Sequence, residues 1–339
     1  MLAVFSHNLR PYVIAAMRSS LLCGLACATV SCGSTTKSTS TDAVTQIDAP
    51  KTSRDAAPDA PAVSLSAPDV AGPFAVTKST ATVAGGSLVI YSPTISGRKV
   101  PLVIIKHGFQ LKTSNYNELC TRIASHGFVV VGVDTGGSIV GGPTNVDERD
   151  TTVASIAYAI TNLALVDADK IAVMGHSRGG KIAAMVTAAD ARVDATLLLD
   201  PVNGCGMGAF SATCPDITAT AIANTITKPI GIMGETNNSG ANSCAPAAQN
   251  YVTVRNAITN ASWNVEWTFT GADHMDFTDD GGGLAGLLCA AGPGNEAQIR
   301  KDMRTLSVAF MRRHLTNDTA MDAWLSGASL PAGIVKRGP

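Results

Sequence analysis

The segment Met174-Gly175-His176-Ser177-Arg178-Gly179-Gly180 sets a serine between two glycines in the spacing G-x-S-x-G. A serine hydroxyl becomes a nucleophile when a neighbouring base takes its proton and an acid orients that base. The glycines matter for a separate reason. A strand that reverses sharply into a helix brings two stretches of backbone together, and only glycine leaves them room. Such a turn projects the hydroxyl outward, while the N-terminal amides of the helix face any negative charge that develops there. A motif this short arises by chance, so its weight rests on the elements around it and on a base and an acid further along.

Six histidines are available as the base. His7 falls in the leader and His314 on the surface of the last predicted helix. His126 precedes Gly127 at a helix end and reads as a cap. His176 adjoins the serine and reads as an orienting or packing residue, and His107 supports the turn at Gly108. His274 differs, because it lies in Gly271-Ala272-Asp273-His274-Met275-Asp276, directly after a strand ending at Phe269. A loop at a strand end can bring an imidazole within hydrogen-bond reach of the hydroxyl. For the acid, Asp200 follows Leu197-Leu198-Leu199 and precedes Pro201, which favours an extended backbone. Glu235, after the next strand, is the alternative on a longer arm, and Asp273 and Asp276 complete the candidates. Backbone amides of Arg178 and Phe109 are expected to form the oxyanion hole, with Gln110 as the fallback for Phe109. Serine, base, acid and two amides perform acyl transfer to water on an ester, thioester or amide.

The elements needed to position these groups are legible. Strands are predicted at 88–91, 102–105, 128–133, 171–174, 197–199, 230–233 and 265–269, with helices over 116–125, 148–165, 180–189 and 296–315. The run Phe128-Val129-Val130-Val131-Gly132-Val133 is apolar throughout, as in a parallel strand covered on both faces. Strand followed by helix, repeated, predicts an α/β fold: a mostly parallel sheet with helices on both faces and no large cap domain. In such sheets ligands bind beyond the carboxyl ends of the strands, and every candidate above sits at such an end.

Five segments carry a family resemblance: PLVIIKHGF (101–109), IASHGFVVVGVD (123–134), GHSRGGK (175–181), DPVNG (200–204) and GADHMDFTDD (271–280). They resemble the plant chlorophyllases, whose serine, aspartate and histidine in these motifs form a triad; the resemblance implies Ser177, Asp200 and His274. The secreted phospholipase A2 enzymes that act on platelet-activating factor similarly place their acid after this strand. AGPFAV (71–76), IASHGFVVV and SVAFMRRHLTNDT (307–319) are similar to the bacterial cutinase-like polyesterases, including poly(ethylene terephthalate) hydrolases. Those carry an aspartate in an E-N-D segment where this chain has Glu235-Thr236-Asn237, so that family's acid is absent. Together the resemblances imply a serine carboxylic ester hydrolase of the α/β-hydrolase fold over roughly residues 73–325. The alternatives are a cutinase-like polyesterase or lipase, a chlorophyllase-type pigment esterase, and, in a different class, a catalytically inactive surface binding lipoprotein that keeps the fold. Phe109, Met207, Phe210, Met275 and Phe277 near these motifs point to an apolar substrate pocket.

Outside the catalytic block the chain changes character. Leu21–Val30 is an apolar run after Arg18, ending at Ser31-Cys32-Gly33. Ten residues at about 1.5 Å each fall short of a hydrocarbon core of about 30 Å, so residues 1–32 read as a signal peptide, with Met17 an alternative start. The small residue before Cys32 makes it a lipidation candidate of the bacterial lipoprotein type. Residues 33–72 are rich in Ser, Thr, Ala and Pro and read as a disordered tether, leaving 73–332 as the catalytic domain. An exported, secreted or membrane-anchored location follows, and there cysteines oxidise. Cys205 and Cys214 flank a short loop after Asp200, while Cys244 and Cys289 lie in the loops after Glu235 and His274. Bridges 205–214 and 244–289 are therefore expected, with Cys120 left as a buried thiol. A net charge of −1 gives no reason to expect nucleic acid as a partner. No cofactor and no metal is expected, and the chain is read as a monomer.

Overall fold

The computed structural model describes residues 65–136, 141–206, 208–238, 244–287 and 289–339. The leader, Cys32 and Met207 lie outside the described residues. Among those residues one nine-stranded sheet runs in the order β1-β2-β4-β3-β5-β6-β7-β8-β9. Its strands are β1 (Val76–Val83), β2 (Gly86–Pro93), β3 (Val100–Lys106), β4 (Val129–Thr135), β5 (Val166–His176), β6 (Ala195–Leu199), β7 (Ile230–Glu235), β8 (Asn264–Phe269) and β9 (Ile334–Arg337). From β4 across β3, β5, β6 and β7 to β8 every pairing is parallel; β1, β2 and β9 add antiparallel pairs at the two margins. The helices are α1 (Asn117–Ser125), α2 (Asn145–Asn162), α3 (Arg178–Ala189), α4 (Thr220–Ala223), α5 (Tyr251–Ala257), α6 (Gly283–Gly286), α7 (Glu296–Leu315) and α8 (Asp322–Leu325). This is the α/β sheet that the strand–helix alternation predicts, in the α/β-hydrolase form that the family resemblance implies.

The period-two rule of a strand explains why the central strands are apolar throughout. In β3, Val103 and Ile105 face a core shared with α1 and α7, while Leu102 and Ile104 face a second core shared with α2, α3 and α5. In β4, Val130 joins the first core, and Val129, Val131 and Val133 join the second. Both faces are thereby covered, and water reaches the sheet at the strand ends.

The expected boundaries shift where side-chain hydrogen bonds, not hydropathy, decide them. The helix expected from residue 148 starts at Asn145, because Thr144 caps it: the Asp147 amide donates to Thr144 Oγ1 over 3.1 Å, and the Asp147 carboxylate accepts in return from the Thr144 amide over 2.9 Å. β1, β9 and α5 had no counterpart in the prediction. β1 (VTKSTATV) is a polar edge strand without apolar alternation, β9 is four residues long, and Tyr251–Ala257 is a helix written in β-branched residues.

Both ends of the expected catalytic block also extend. Residues 66–72, assigned to the tether on composition, lie along the body: Arg312 donates to the Ser66 carbonyl over 2.7 Å, His126 Nε2 to the Val70 carbonyl over 3.0 Å, and the Gly72 amide to Ser125 Oγ over 2.8 Å. Backbone bonding rather than core-forming side chains holds this segment, so composition could not reveal it. At the other end β9 lies beyond residue 332 and closes on β8, making β8 a near-edge strand. His314, expected at the surface, is half-buried, its ring 4.7 Å from that of Trp263 and 4.6 Å from that of Phe310.

Candidate active site

β5 ends at His176 and α3 begins at Arg178, leaving Ser177 alone to make the reversal. Its backbone sits at φ 57° and ψ −126°, a conformation a side-chain-bearing residue reaches only under strain. The glycines of the motif permit the crossing. A side-chain carbon at Gly175 would stand 2.2 Å from the Gly179 carbonyl oxygen, and one at Gly179 would stand 2.2 Å from the Lys106 carbonyl oxygen. The start of α3 is thus seated directly on the ends of β5 and β3.

The turn delivers Ser177 Oγ to within 2.9 Å of His274 Nε2, and His274 Nδ1 is 2.5 Å from Asp200 Oδ2. All three residues are buried, Asp200 completely. A carboxylate can only accept, so Nδ1 carries the hydrogen, Nε2 presents its lone pair and the serine hydroxyl donates. Burial pushes the Asp200 carboxyl above the ordinary carboxylate range, against the hydrogen bond and charge of His274, which act in the opposite direction. Three loops build this line: the elbow after β5, the turn after β6, and a 3-10 turn, His274–Phe277, after β8. Asp273 caps that last turn, accepting from the Met275 amide over 2.8 Å and from the Gly292 amide over 2.7 Å. Asp276 accepts from the Asp273 amide over 3.0 Å. These two carboxylates therefore hold the histidine loop rather than touch the imidazole.

Asp200 departs from the extended backbone that Pro201 predicts: its φ is +40°. Its amide donates to the Met233 carbonyl over 2.9 Å, and the chain must then bend abruptly for the short side chain to reach His274. Gln110, on the loop after β3, also has a positive φ, of 57°. Of the four non-glycine residues with positive φ among the described residues, Gln110, Ser177 and Asp200 belong to the site, and only Asn317 lies elsewhere.

Glu235, the alternative acid, ends the neighbouring strand β7 and does not meet the imidazole. It is fully buried, and neither carboxyl oxygen has a hydrogen-bond partner among the described residues. Burial first, then the nearby Asp200 charge, pushes its pKa up to about 9, so it carries its proton at neutral pH. In the unfolded chain the same group ionises at about 4.3. Its contribution to stability is therefore fully present below about pH 4.3 and is lost as pH rises toward 9. Glu235→Gln keeps the shape without the titration. It is expected to match the parent Tm near pH 4.5 and to exceed it at pH 8. Equal Tm differences at the two pH values would show that the buried proton is not there.

The loop after β3 lies against Ser177: a side-chain carbon at Gly108 would stand 3.2 Å from Ser177 Cβ. Among the described residues neither the Phe109 amide nor the Arg178 amide has an acceptor, so both are free to donate to a substrate oxygen. The loop is braced from beneath. His107 Nδ1 donates to the Gly108 carbonyl over 2.7 Å, while its Nε2 accepts from Lys106 Nζ over 2.9 Å and from the Thr135 amide over 3.2 Å. Burial holds this imidazole near pKa 4 and lowers the Lys106 ammonium to about 8. Glu148 from α2 closes the network, 3.4 Å from Lys106 Nζ and 2.7 Å from Arg178 Nε. The Arg178 guanidinium in turn lies 5.7 Å from the centre of the Phe109 ring. Lys106 and Glu148 were absent from the predicted site. The signal was present, since a lysine closing the apolar run PLVIIK in a strand covered on both faces requires a buried partner.

The expected pocket divides. Phe109 and Phe210 are 43% and 49% exposed, on the loops after β3 and β6. Met275 is buried, and Phe277 is fully buried, packed edge-to-face on Phe269 at 5.4 Å; with its ring in the core it offers no surface to a substrate. Two disulfides tie the loops: Cys205–Cys214 after β6, and Cys244–Cys289 between the loops after β7 and β8. Lys181 of α3 is buried against the first, its Nζ 3.2 Å from Cys214 Sγ and 2.6 Å from the Asn203 carbonyl oxygen. Cys120 is a buried free thiol. No group of His, Cys, Asp or Glu among the described residues is arranged to hold a metal ion.

A serine at a strained strand-to-helix elbow, with histidine and aspartate from later strand ends of a parallel sheet, is the arrangement of the α/β hydrolases. A sequence profile of the chlorophyllases matches residues 60–329, and the chain belongs to the chlorophyllase family. It is similar to Chlorophyllase-2 of Arabidopsis thaliana, 26% identical over 258 residues covering 68% of this chain and 78% of that one. Chlorophyllase-1 of the same plant is 27% identical over 258 residues, covering 68% of this chain and 76% of that one. Cutinase est1 of Thermobifida alba is 34% identical over 122 residues, covering 32% of this chain and 38% of that one. The protein is accordingly a carboxylic ester hydrolase.

Proposed function

We propose that the protein cleaves apolar carboxylic esters through an acyl-enzyme on Ser177, with His274 as general base and then acid, and Asp200 as the acid of the triad. The observation that carries this reading is the unbroken line from Ser177 Oγ to His274 Nε2 at 2.9 Å and from His274 Nδ1 to Asp200 Oδ2 at 2.5 Å. As Ser177 Oγ attacks the ester carbonyl, its proton passes to His274 Nε2, and the carbonyl oxygen takes the negative charge against the amides of Phe109 and Arg178. Collapse expels the alcohol, which leaves with the proton from His274. Water then repeats the sequence on the acyl-enzyme and releases the acid.

The apolar character of the substrate is supported by two exposed aromatics: Phe109, on the loop packed against Ser177, and Phe210, whose ring centre lies 5.1 Å from Lys181 Nζ of α3. The same two side chains favour a second reading, a polyesterase working on an extended surface. Export belongs to the proposal as well and is supported by the two disulfides. Anchoring through Cys32 rests on the leader sequence alone. Initial rates on p-nitrophenyl esters from acetate to palmitate test the reading, beside release of soluble acid from a polyester film and from a pigment ester. Turnover with an optimum at short or medium acyl length is expected. Absence of turnover on every ester above the Ser177→Ala background would end the proposal.

A further inference from the structure

His176 is fully buried between the end of β5 and the nucleophile, and each ring nitrogen has one partner. Nε2 is 2.9 Å from the backbone carbonyl oxygen of His274, and Nδ1 is 2.8 Å from the hydroxyl of Tyr116. A carbonyl oxygen only accepts, so the hydrogen is on Nε2 and Nδ1 is the acceptor. Tyr116 must then donate to Nδ1, and its oxygen accepts from the Gly108 amide over 3.1 Å. Every direction is fixed: Gly108 N–H to Tyr116 O, Tyr116 O–H to His176 Nδ1, His176 Nε2–H to the His274 carbonyl. Burial keeps the imidazole neutral, with the neighbouring His274 acting in the same direction, and keeps the phenol protonated.

The ends of this chain belong to opposite walls of the site. Gly108 carries the loop that presents the Phe109 amide; His274 is the base. Their strands, β3 and β8, are separated in the sheet by β5, β6 and β7, so no ladder hydrogen bonds join them. The relay crosses that gap beneath the nucleophile. The His176 and His274 rings also pack at 4.6 Å between centres, and a side-chain carbon at Gly108 would come within 3.2 Å of His176 Nδ1.

We propose that Tyr116 and His176 are positioning residues that lock the oxyanion loop to the backbone of His274, and so fix the spacing between the group that takes the proton and the amides that receive the charge. The inference rests on the triad assignment proposed above. Neither side chain touches the substrate. Their effect falls on the transition state, where a misplacement of about 1 Å costs on the order of 100-fold.

Tyr116→Phe removes one oxygen and retains the ring. Its kcat on a p-nitrophenyl ester is expected to fall roughly 10- to 100-fold with KM within about twofold, and an alkyl boronic acid, which mimics the tetrahedral adduct on Ser177, to bind weaker by a similar factor. At residue 176 two substitutions separate bonding from packing. His176→Gln keeps a donor and an acceptor, whereas His176→Phe keeps ring volume without either. The relay requires the glutamine variant to be the more active; the reverse order, or Tyr116→Phe within about twofold of the parent in both kcat and boronate affinity, overturns it. If the His176 variants fail to fold, Tyr116→Phe decides alone. Should the parent hydrolyse no ester, the triad reading falls, and the relay is judged by NMR. The Gly108 amide must then lose exchange protection in Tyr116→Phe while the His274 ring resonances shift, and unchanged resonances at both would refute the link.

Discussion

Ser177→Ala is expected to lower turnover of a p-nitrophenyl ester about 10⁶-fold, leaving a residue of catalysis from the oxyanion amides and binding. The substitution removes one oxygen from a 9% exposed side chain. Alanine at φ 57° is as strained as serine, so the elbow keeps its shape and Tm should change by no more than a few degrees. What disappears is the atom proposed to form the acyl bond. His274 could still activate a water for direct attack, but a bound water lacks the orientation that the elbow imposes on Oγ. Burst kinetics on a slow-turnover ester give a second reading: the parent should release a stoichiometric burst of alcohol, and the variant none. Turnover within about 100-fold of the parent would mean that another residue is the nucleophile.

Asp200→Asn is expected to cost about 10⁴-fold in kcat with near-native stability, because the change inverts a tautomer. The Asp200 carboxylate accepts from His274 Nδ1–H over 2.5 Å, which leaves the Nε2 lone pair facing Ser177. An asparagine amide in that place donates to Nδ1 and drives the hydrogen to Nε2. The imidazole then points an N–H at the hydroxyl and cannot take its proton. Glu235 should give no rescue, since it is fully buried and neither of its carboxyl oxygens meets a hydrogen-bond partner among the described residues, the imidazole included. Imidazole ¹⁵N shifts of His274 report the tautomer directly, and an unchanged Nδ1–H in an inactive variant would assign the loss to another cause.

The candidate catalytic residues and the strands that carry them were the most legible part of the sequence. Ser177 and His274 stood out because a G-x-S-x-G turn and a histidine after Phe269 each follow an apolar strand. The choice of Asp200 over Glu235 was harder, since both close strands of the same kind; geometry separates them, by giving one the imidazole and leaving the other without a partner. Asp200's own backbone ran against the local rule, as Pro201 predicts extension and the site demands a turn. Edge elements were opaque, because β1 is polar on both faces and β9 has four residues, so their pairing is decided by neighbours and not by pattern. Phe277 was misread as pocket lining because an aromatic near a catalytic loop carries no mark of which way it faces. The braces under the oxyanion loop are contacts between residues far apart in the chain: Tyr116 and His176 are 60 residues apart, and no local spacing encodes their meeting.

The left-handed backbone at Gln110, Ser177 and Asp200 has a consequence for anyone who would improve this enzyme in the laboratory. Glycine at any of the three would relieve strain on the order of 1 kcal/mol. A library sorted for heat resistance or yield, with no assay of turnover, is therefore driven toward clones that have discarded the proposed nucleophile or its proposed acid. Useful gains must be sought away from these turns, and each round of sorting needs a catalytic checkpoint.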